Sequence, residues 1–330
     1  MRKRQTGSNP VTKIYYISRE EFKMFNKRTI ALSLVLLLTV GMIFSLTGQV
    51  NAGWWPFGGN NKQEETQQKK SQETSEEKEV PDNKLVIQGS STVLPIAQKA
   101  AEEYMNQNPE IDITVRGGGS GNGIAALIDN ATDIADASRF IKEDEFMQAR
   151  DNGVYPVPHR VAMDGIAVIL NENNPVQDIT LDEIEQIYTG EVSNWSELGG
   201  PDKEIVVVSR DSSSGTFEVF GEIALGGERV AQTALMQSSN GTVASTVGET
   251  EGAIGYVGLG YLDNPGIKAV KVNGVEPTNA TVASGQFPIA RPLFMFTDGW
   301  PEGLTAKFIN FVLSAKGQEI VKTQGYVPLH

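Results

Sequence analysis

Between residues 85 and 135 the chain alternates short apolar runs with amphipathic stretches, and nothing else in it constrains the fold as much. Leu85-Val86-Ile87 reads as a strand. Leu94, Ala97, Ala101, Tyr104 and Met105 recur at helical spacing, and Pro109 ends that run. Ile111-Asp112-Ile113-Thr114-Val115 alternates as a strand does. Residues 124–128 open another helix, and Asp133-Ile134-Ala135 begins another strand. Strand, helix, strand, helix, strand predicts an α/β domain with a largely parallel sheet. A second unit begins near Val161. Its strands are expected at 165–170, 205–209 and 253–257, with an amphipathic helix at 181–188. A strand at 291–296 and a helix at 304–312 close the chain, and no repeat of solenoid period is present.

The turns that follow these strands are rich in hydroxyls and glycine. They are Gly89-Ser90-Ser91-Thr92, the run 117–123 (Gly-Gly-Gly-Ser-Gly-Asn-Gly), Asp136-Ala137-Ser138-Arg139, and Arg210-Asp211-Ser212-Ser213-Ser214-Gly215-Thr216. Three of the four lead directly into expected helices, the last at Glu218-Val219-Phe220. Free N–H groups and the helix dipole favour an anion there. In open α/β sheets such turns gather at the carboxyl edge of the strands. Each turn has a plainer reading when taken alone. Serine or threonine before a helix is ordinarily an N-cap. The glycine run reads equally as a flexible loop, and Arg139 and Arg210 as surface ion-pair partners. Four together are a stronger signal for a tetrahedral oxyanion.

Other chemistry has little material. Cysteine is absent, which excludes disulfides, thiolate metal sites and a cysteine nucleophile. It also excludes a lipid-bearing cysteine. The two histidines are His159 and His330. No turn has the spacing of a nucleotide P-loop, and no Gly-x-Ser-x-Gly elbow has a histidine to work with. Net charge is −13. Residues 1–52 carry +6 and residues 53–84 carry −2, which leaves −17 for the remainder. Such a body is a poor nucleic-acid binder. It also opposes anion arrival at long range, so any anion site must rest on local dipoles and fixed positive charge.

Lys27-Arg28, an apolar run over 30–46 and Val50-Asn51-Ala52 together read as a secretory signal peptide. An uncleaved membrane anchor is the alternative, since ~17 apolar residues approach a span. Either places the body outside the cytoplasmic membrane. Met24 just precedes this run and is a workable start. Trp54-Trp55-Pro56-Phe57 reads as an interfacial segment or a plain apolar stub. Residues 60–82 are rich in Gln, Glu, Lys and Ser and read as a disordered tether.

At the four turns the chain resembles the phosphate-binding (PstS) family that feeds bacterial phosphate ABC importers. The resemblance covers about residues 84–330. Gly89-Ser90-Ser91-Thr92-Val93-Leu94-Pro95 resembles the family's first ligand turn, and Gly119-Ser120-Gly121-Asn122-Gly123-Ile124 its second. Arg210 followed by Ser214-Gly215-Thr216 resembles its most diagnostic motif. The spacing of Ser120 and Ser138 and the stretch 285–293 are also family-like. One departure stands out. Many members place an aspartate at the position aligned with Ser138, where it accepts a phosphate hydroxyl. A carboxylate there favours protonated phosphate and repels sulfate. The replacement acceptor is Asp164 or Asp136, and Asp164 is preferred because it lies where the chain crosses between units.

The resemblance implies a type II periplasmic-binding-protein fold, two α/β lobes clamping the ligand. Residues 84–160 with 260–330 would form the first lobe and 161–259 the second. His159-Arg160-Val161 and Gly258-Leu259-Gly260 are the expected crossings. Residues 1–52 are the extension and signal or anchor, and 53–83 the linker. The implied ligand set is Ser91, Thr92, Ser120, Ser138, Arg139, Asp164, Arg210, Ser214, Gly215 and Thr216. Arg210 supplies a bidentate charged donor pair, and Arg139 a second charge or an outer clamp. Inorganic phosphate and importer permease subunits are the implied partners, with a monomer and no cofactor or metal. A tethered phosphate sensor or scavenger shares the same site. A secreted phosphatase using Ser214 lacks a visible general base.

Overall fold

The computed structural model describes residues 83–330. The expectations for the signal or anchor, the Trp54-Trp55 segment and the tether lie outside these residues. In chain order the first elements are β1 (Lys84–Gly89), α1 (Leu94–Gln107), β2 (Asp112–Gly117), α2 (Ser120–Ile128), β3 (Ile134–Ala137) and α3 (Glu143–Asp151). Next come β4 (Pro156–Asn171), β5 (Asp178–Ile179), α4 (Leu181–Thr189), β6 (Val206–Arg210), α5 (Gly215–Ala224) and β7 (Leu235–Gln237). The remainder is α6 (Asn240–Glu249), β8 (Ala253–Gly258), β9 (Ile267–Ala269), β10 (Lys271–Val272), α7 (Asn279–Ala283), β11 (Ala290–Asp298), α8 (Gly303–Leu313) and α9 (Ala315–Thr323).

One mixed sheet runs β2-β1-β3-β11-β4-β8-β6-β7, with β9 added against β4. The outer pairs β1–β2, β1–β3, β6–β8 and β6–β7 are parallel, as the βαβ rhythm requires. The central pairs β3–β11, β11–β4 and β4–β8 are antiparallel, so the sheet is less parallel than expected. The cause is the two long strands that link the halves. At 16 residues β4 is long enough to serve both halves in turn. Its Val161 and Ala162 belong to the core beneath α1, α8 and α9. Its residues Ile166, Ala167, Val168 and Leu170 belong to the core with Tyr188, Phe220 and Tyr256. The crossing therefore falls at Met163–Gly165 inside a strand, slightly beyond the expected 159–161.

The return crossing also differs. The sequence placed 260–330 with the first half. Instead β9 pairs with the far end of β4, and Val270, Val272, Val282, Phe287 and Ile289 join the second half's core. The chain comes back along β11, where Leu293 and Met295 enter the first core. Short apolar runs such as Ile267 to Val272 do not announce which sheet they will extend; that is settled by the neighbour whose edge is free.

Local text accounts for the element ends. Pro95 sits in the first turn of α1, where its missing N–H is not needed. Thr180 caps α4 with Glu183 in a reciprocal box. Helix α5 begins at Gly215, three residues before its expected start, because Ser214 is its N-cap. Among the described residues, no helix is long and apolar enough to cross a membrane.

Candidate functional site

The four hydroxyl-bearing turns converge where the two halves meet. Ser91, Thr92, Ser120, Ser138, Arg210, Ser214 and Thr216 are all buried. Such polar side chains leave water only when their hydrogen bonds are replaced. From the first half, Thr92 Oγ1 lies 3.1 Å from Thr216 Oγ1 of the second. Ser138 N–H donates to Ser120 Oγ at 3.0 Å, and the two hydroxyl oxygens are 3.3 Å apart. Gly121 N–H donates across the cleft to the Ser213 carbonyl at 2.9 Å. The halves are thus in a closed arrangement.

Two glycines permit that closeness. Gly119 has φ of 107°, and a Cβ on it would sit 2.5 Å from Ser213 Oγ. A Cβ on Gly215 would sit 2.5 Å from Ser120 Oγ and 2.9 Å from Ser138 Oγ. Gly215→Ala is therefore expected to wedge the halves apart and weaken anion binding at least ~10-fold, with melting temperature changed by no more than ~2 °C. Titration calorimetry and a thermal melt check both parts.

Arg210 ends β6 and is almost wholly enclosed. Its Nε donates to the Gln237 carbonyl at 3.1 Å and its Nη2 to the Ser238 carbonyl at 3.0 Å. Tyr256 OH accepts its backbone N–H at 3.1 Å. Its Nη1 is buried with no hydrogen-bond partner. Burial lowers the guanidinium's affinity for its proton, and the nearby Tyr256 and Asp211 oppose that; arginine remains charged. The Nε/Nη2 edge of the guanidinium is held by backbone, while Nη1 and the second N–H of Nη2 remain for a ligand.

Ser214 Oγ accepts from the N–H groups of Thr216 and Phe217, each at 3.2 Å, which leaves its own proton to donate. Arg139 is engaged otherwise. Its Nη1 and Nη2 reach Glu145 at 2.8 and 2.6 Å. Its Nε lies 2.8 Å from Glu218 Oε2, in ion contact. The Arg139 charge is thus met by Glu145 and Glu218.

Asp164 stands in β4 directly opposite Arg291 of β11. Its Oδ2 accepts from Arg291 Nη2 at 3.0 Å and Nε at 3.2 Å, while Oδ1 accepts the Leu259 N–H at 3.0 Å. Both oxygens are committed. Burial pushes the carboxyl up and Arg291 holds it back. Asp136 is the opposite case. Both of its carboxyl oxygens are buried without a partner, and desolvation alone raises it well above the carboxylate range. It shares a face of β3 with Ile134, beneath α1, and its carbonyl accepts the Ser90 N–H at 2.8 Å.

Two site residues escaped the sequence reading. Arg291 Nη2 donates to Thr92 Oγ1 at 3.1 Å and to Thr216 Oγ1 at 2.9 Å, bridging the halves, and its Nη1 is buried without a partner. The signal was a lone arginine inside an apolar strand. Asn240, at the start of α6, donates from Nδ2 to Ser91 Oγ at 3.1 Å and Thr92 Oγ1 at 3.0 Å. Its Oδ1 accepts the Gly258 N–H at 3.2 Å. Tyr326 OH and Tyr261 OH donate to the Thr92 and Ser91 carbonyls at 2.7 and 2.5 Å, steadying that turn.

Two halves of one mixed sheet, closed over buried hydroxyls and two arginines, define a type II periplasmic-binding architecture built to hold an oxyanion. A PBP superfamily domain model matches residues 62–316. The phosphate-binding protein PstS of Bacillus subtilis is 38% identical over 253 residues, covering 76% of this chain and 83% of that protein. PstS of Borreliella burgdorferi is 31% identical over 259 residues, covering 74% and 91%. A Clostridium perfringens phosphate ABC transporter substrate-binding structure, with bound phosphate, aligns with a TM-score of 0.70 at 36% identity. That alignment covers 75% of this chain and 100% of the other. A Vibrio cholerae ABC-type phosphate transport receptor aligns at 0.60 and 31%, covering 74% and 99%. The chain belongs to the PstS family of phosphate-binding proteins, within the PBP superfamily.

Proposed function

We propose that this protein captures inorganic phosphate outside the cytoplasmic membrane and delivers it to the permease subunits of an ABC importer. The observation that carries the reading is the pair of buried, partnerless donors, Arg210 Nη1 and Arg291 Nη1, within a ring of serine and threonine hydroxyls. Native proteins rarely leave such groups unsatisfied without a functional reason. The names of the relatives, and the phosphate bound in the Clostridium structure, support the same ligand. The two halves act as lobes, with β4 and β11 as their crossings.

Ser91, Thr92, Ser120, Ser138, Ser214 and Thr216 supply hydroxyls, and the N–H groups at the start of α5 supply backbone donors. Asp136, rather than Asp164, accepts the proton of monohydrogen phosphate. The reason is capacity: Asp164 is filled by Arg291 and Leu259, while Asp136 has both oxygens free. Sulfate brings no proton and meets a carboxylate lone pair. The protein holds phosphate without reacting it, since the partners of Ser214 Oγ are the N–H groups of Thr216 and Phe217 and not a histidine or carboxylate that could act as its general base. Incubation with a chromogenic phosphomonoester should release no product; turnover would overturn the non-enzymatic reading.

Calorimetry with phosphate and with sulfate tests ligand and proton reader together. Wild type should prefer phosphate by at least ~100-fold, and Asp136→Asn should narrow that ratio to within ~10-fold, because an amide can donate to either anion. Equal wild-type affinities would remove phosphate as the specific ligand. Asp136→Asn also has a stability signature. In the wild type burial raises the folded-state pKa of Asp136, so the ionised form that reads the proton is held at a cost in stability and the neutral form is free of that cost. That stability is present below the unfolded value of ~3.9 and is lost as pH rises through the folded value. Without phosphate, the variant should melt at least ~3 °C higher than wild type near pH 7.5, and show little gain near pH 3.5.

A further inference from the structure

At the rim of the cleft, outside the hydroxyl shell, four charged side chains form a network that crosses between the halves. Arg139 directly follows Ser138, and Lys142 directly precedes α3. Glu145, in the first turn of α3, takes Arg139 in a two-pronged contact and accepts the Lys142 N–H at 3.0 Å. These three belong to the first half. Glu218 belongs to the second, in the first turn of α5, where a negative charge suits the helix dipole. Its two oxygens lie 2.8 Å from Arg139 Nε and 2.6 Å from Lys142 Nζ.

Arg139, Lys142 and Glu145 by themselves carry a net single positive charge, and Glu218 brings one carboxylate to it from the other half. Arg139 is 6% exposed and Glu218 21%, so water screens this contact less than an ordinary surface pair. Glu145 holds Arg139 in place beforehand, which lowers the ordering cost when Glu218 arrives. The Arg139 stem also packs against Gly215, within the ligand turn itself.

We propose that Glu218 is a positioning residue that latches the closed cleft through Arg139 and Lys142, and so sets how fast bound phosphate is released. The ligand shell decides which anion is held; the latch decides for how long. The proposal rests on the phosphate-binding reading.

The test uses the full chain and three variants: Glu218→Gln, Lys142→Met and the double variant. Stopped-flow release of phosphate should be about 5- to 20-fold faster in Glu218→Gln, with association changed less than ~2-fold. The phosphate-to-sulfate ratio should stay at its wild-type value. Lys142→Met should have a smaller effect, and the double variant should release no faster than Glu218→Gln, because Lys142 then has no carboxylate to lose. Unchanged release in Glu218→Gln, or an altered anion ratio, would overturn the proposal.

A second readout is independent of ligand. The chain has no cysteine, so Gln148→Cys with Gln232→Cys gives two clean spin-label positions, one exposed residue on each half. Without phosphate, Glu218→Gln should shift the interlabel distances toward longer values than the Glu218 parent; identical distributions would count against a latch. Failure of the labelled parent to bind phosphate in calorimetry would instead reject the ligand reading.

Discussion

Replacing Arg210 with alanine should weaken phosphate binding by ~2–5 kcal/mol, roughly 30- to 5,000-fold. Two losses combine. The ligand loses its contact with a fully charged, dehydrated donor, where hydrogen bonds are strongest. The Gln237 and Ser238 carbonyls lose the donors that now reach them at 3.1 and 3.0 Å. Arg210→Lys should rescue little. An ammonium cannot bridge two carbonyls and still present a free edge to an anion. Calorimetry with phosphate on both variants is the check. An alanine variant that binds as wild type does would remove Arg210 from the site.

Asp164→Ala should act on stability first. The variant leaves Arg291 buried without its countercharge, a loss of ~3–5 kcal/mol. For a folded body of this size that lowers the melting temperature by about 10 °C. Burial pushes both partners toward neutrality, Asp164 upward and Arg291 downward, and each is held back by the other. Removing both charges should therefore be much milder than removing one. Asp164→Ala with Arg291→Met is expected to regain most of the lost melting temperature and still bind phosphate poorly, since Arg291 also bridges Thr92 and Thr216. Calorimetry and thermal melts separate the two roles. A single variant that melted within ~2 °C of wild type would refute the buried-pair account.

Asp164 also marks where local reading reached its end. The sequence offered Asp136 and Asp164 as readers of the phosphate proton, and position between units favoured Asp164. Position along the chain does not reveal β11, which lays Arg291 opposite Asp164 from 127 residues away. Arg139 and Arg210 were equally ambiguous as text. Glu145, six residues from Arg139, was visible but had no reason to be chosen over Glu143 or Asp144 until α3 fixed its face. Arg291 looked like part of a family-like stretch, and Asn240 like an ordinary residue after a capping serine.

The strand–turn–helix units, by contrast, were legible. Apolar periodicity located most of the strands and helices. Glycine and hydroxyl residues after the strands placed unpaired N–H groups at helix starts, because backbone conformation and capping depend on a few neighbouring residues. The sequence by itself thereby determined the hydroxyl- and glycine-rich turns and their approach to one sheet edge. Only the tertiary structure decided which of their charged groups are free to meet a ligand. That depends on whether a side chain's hydrogen-bonding capacity is already filled. For Asp164 it is filled by a partner 127 residues away, and for Arg210 it is filled only in part by one 27 residues away, which leaves Nη1; a sheet whose two central strands serve both halves brings these groups together.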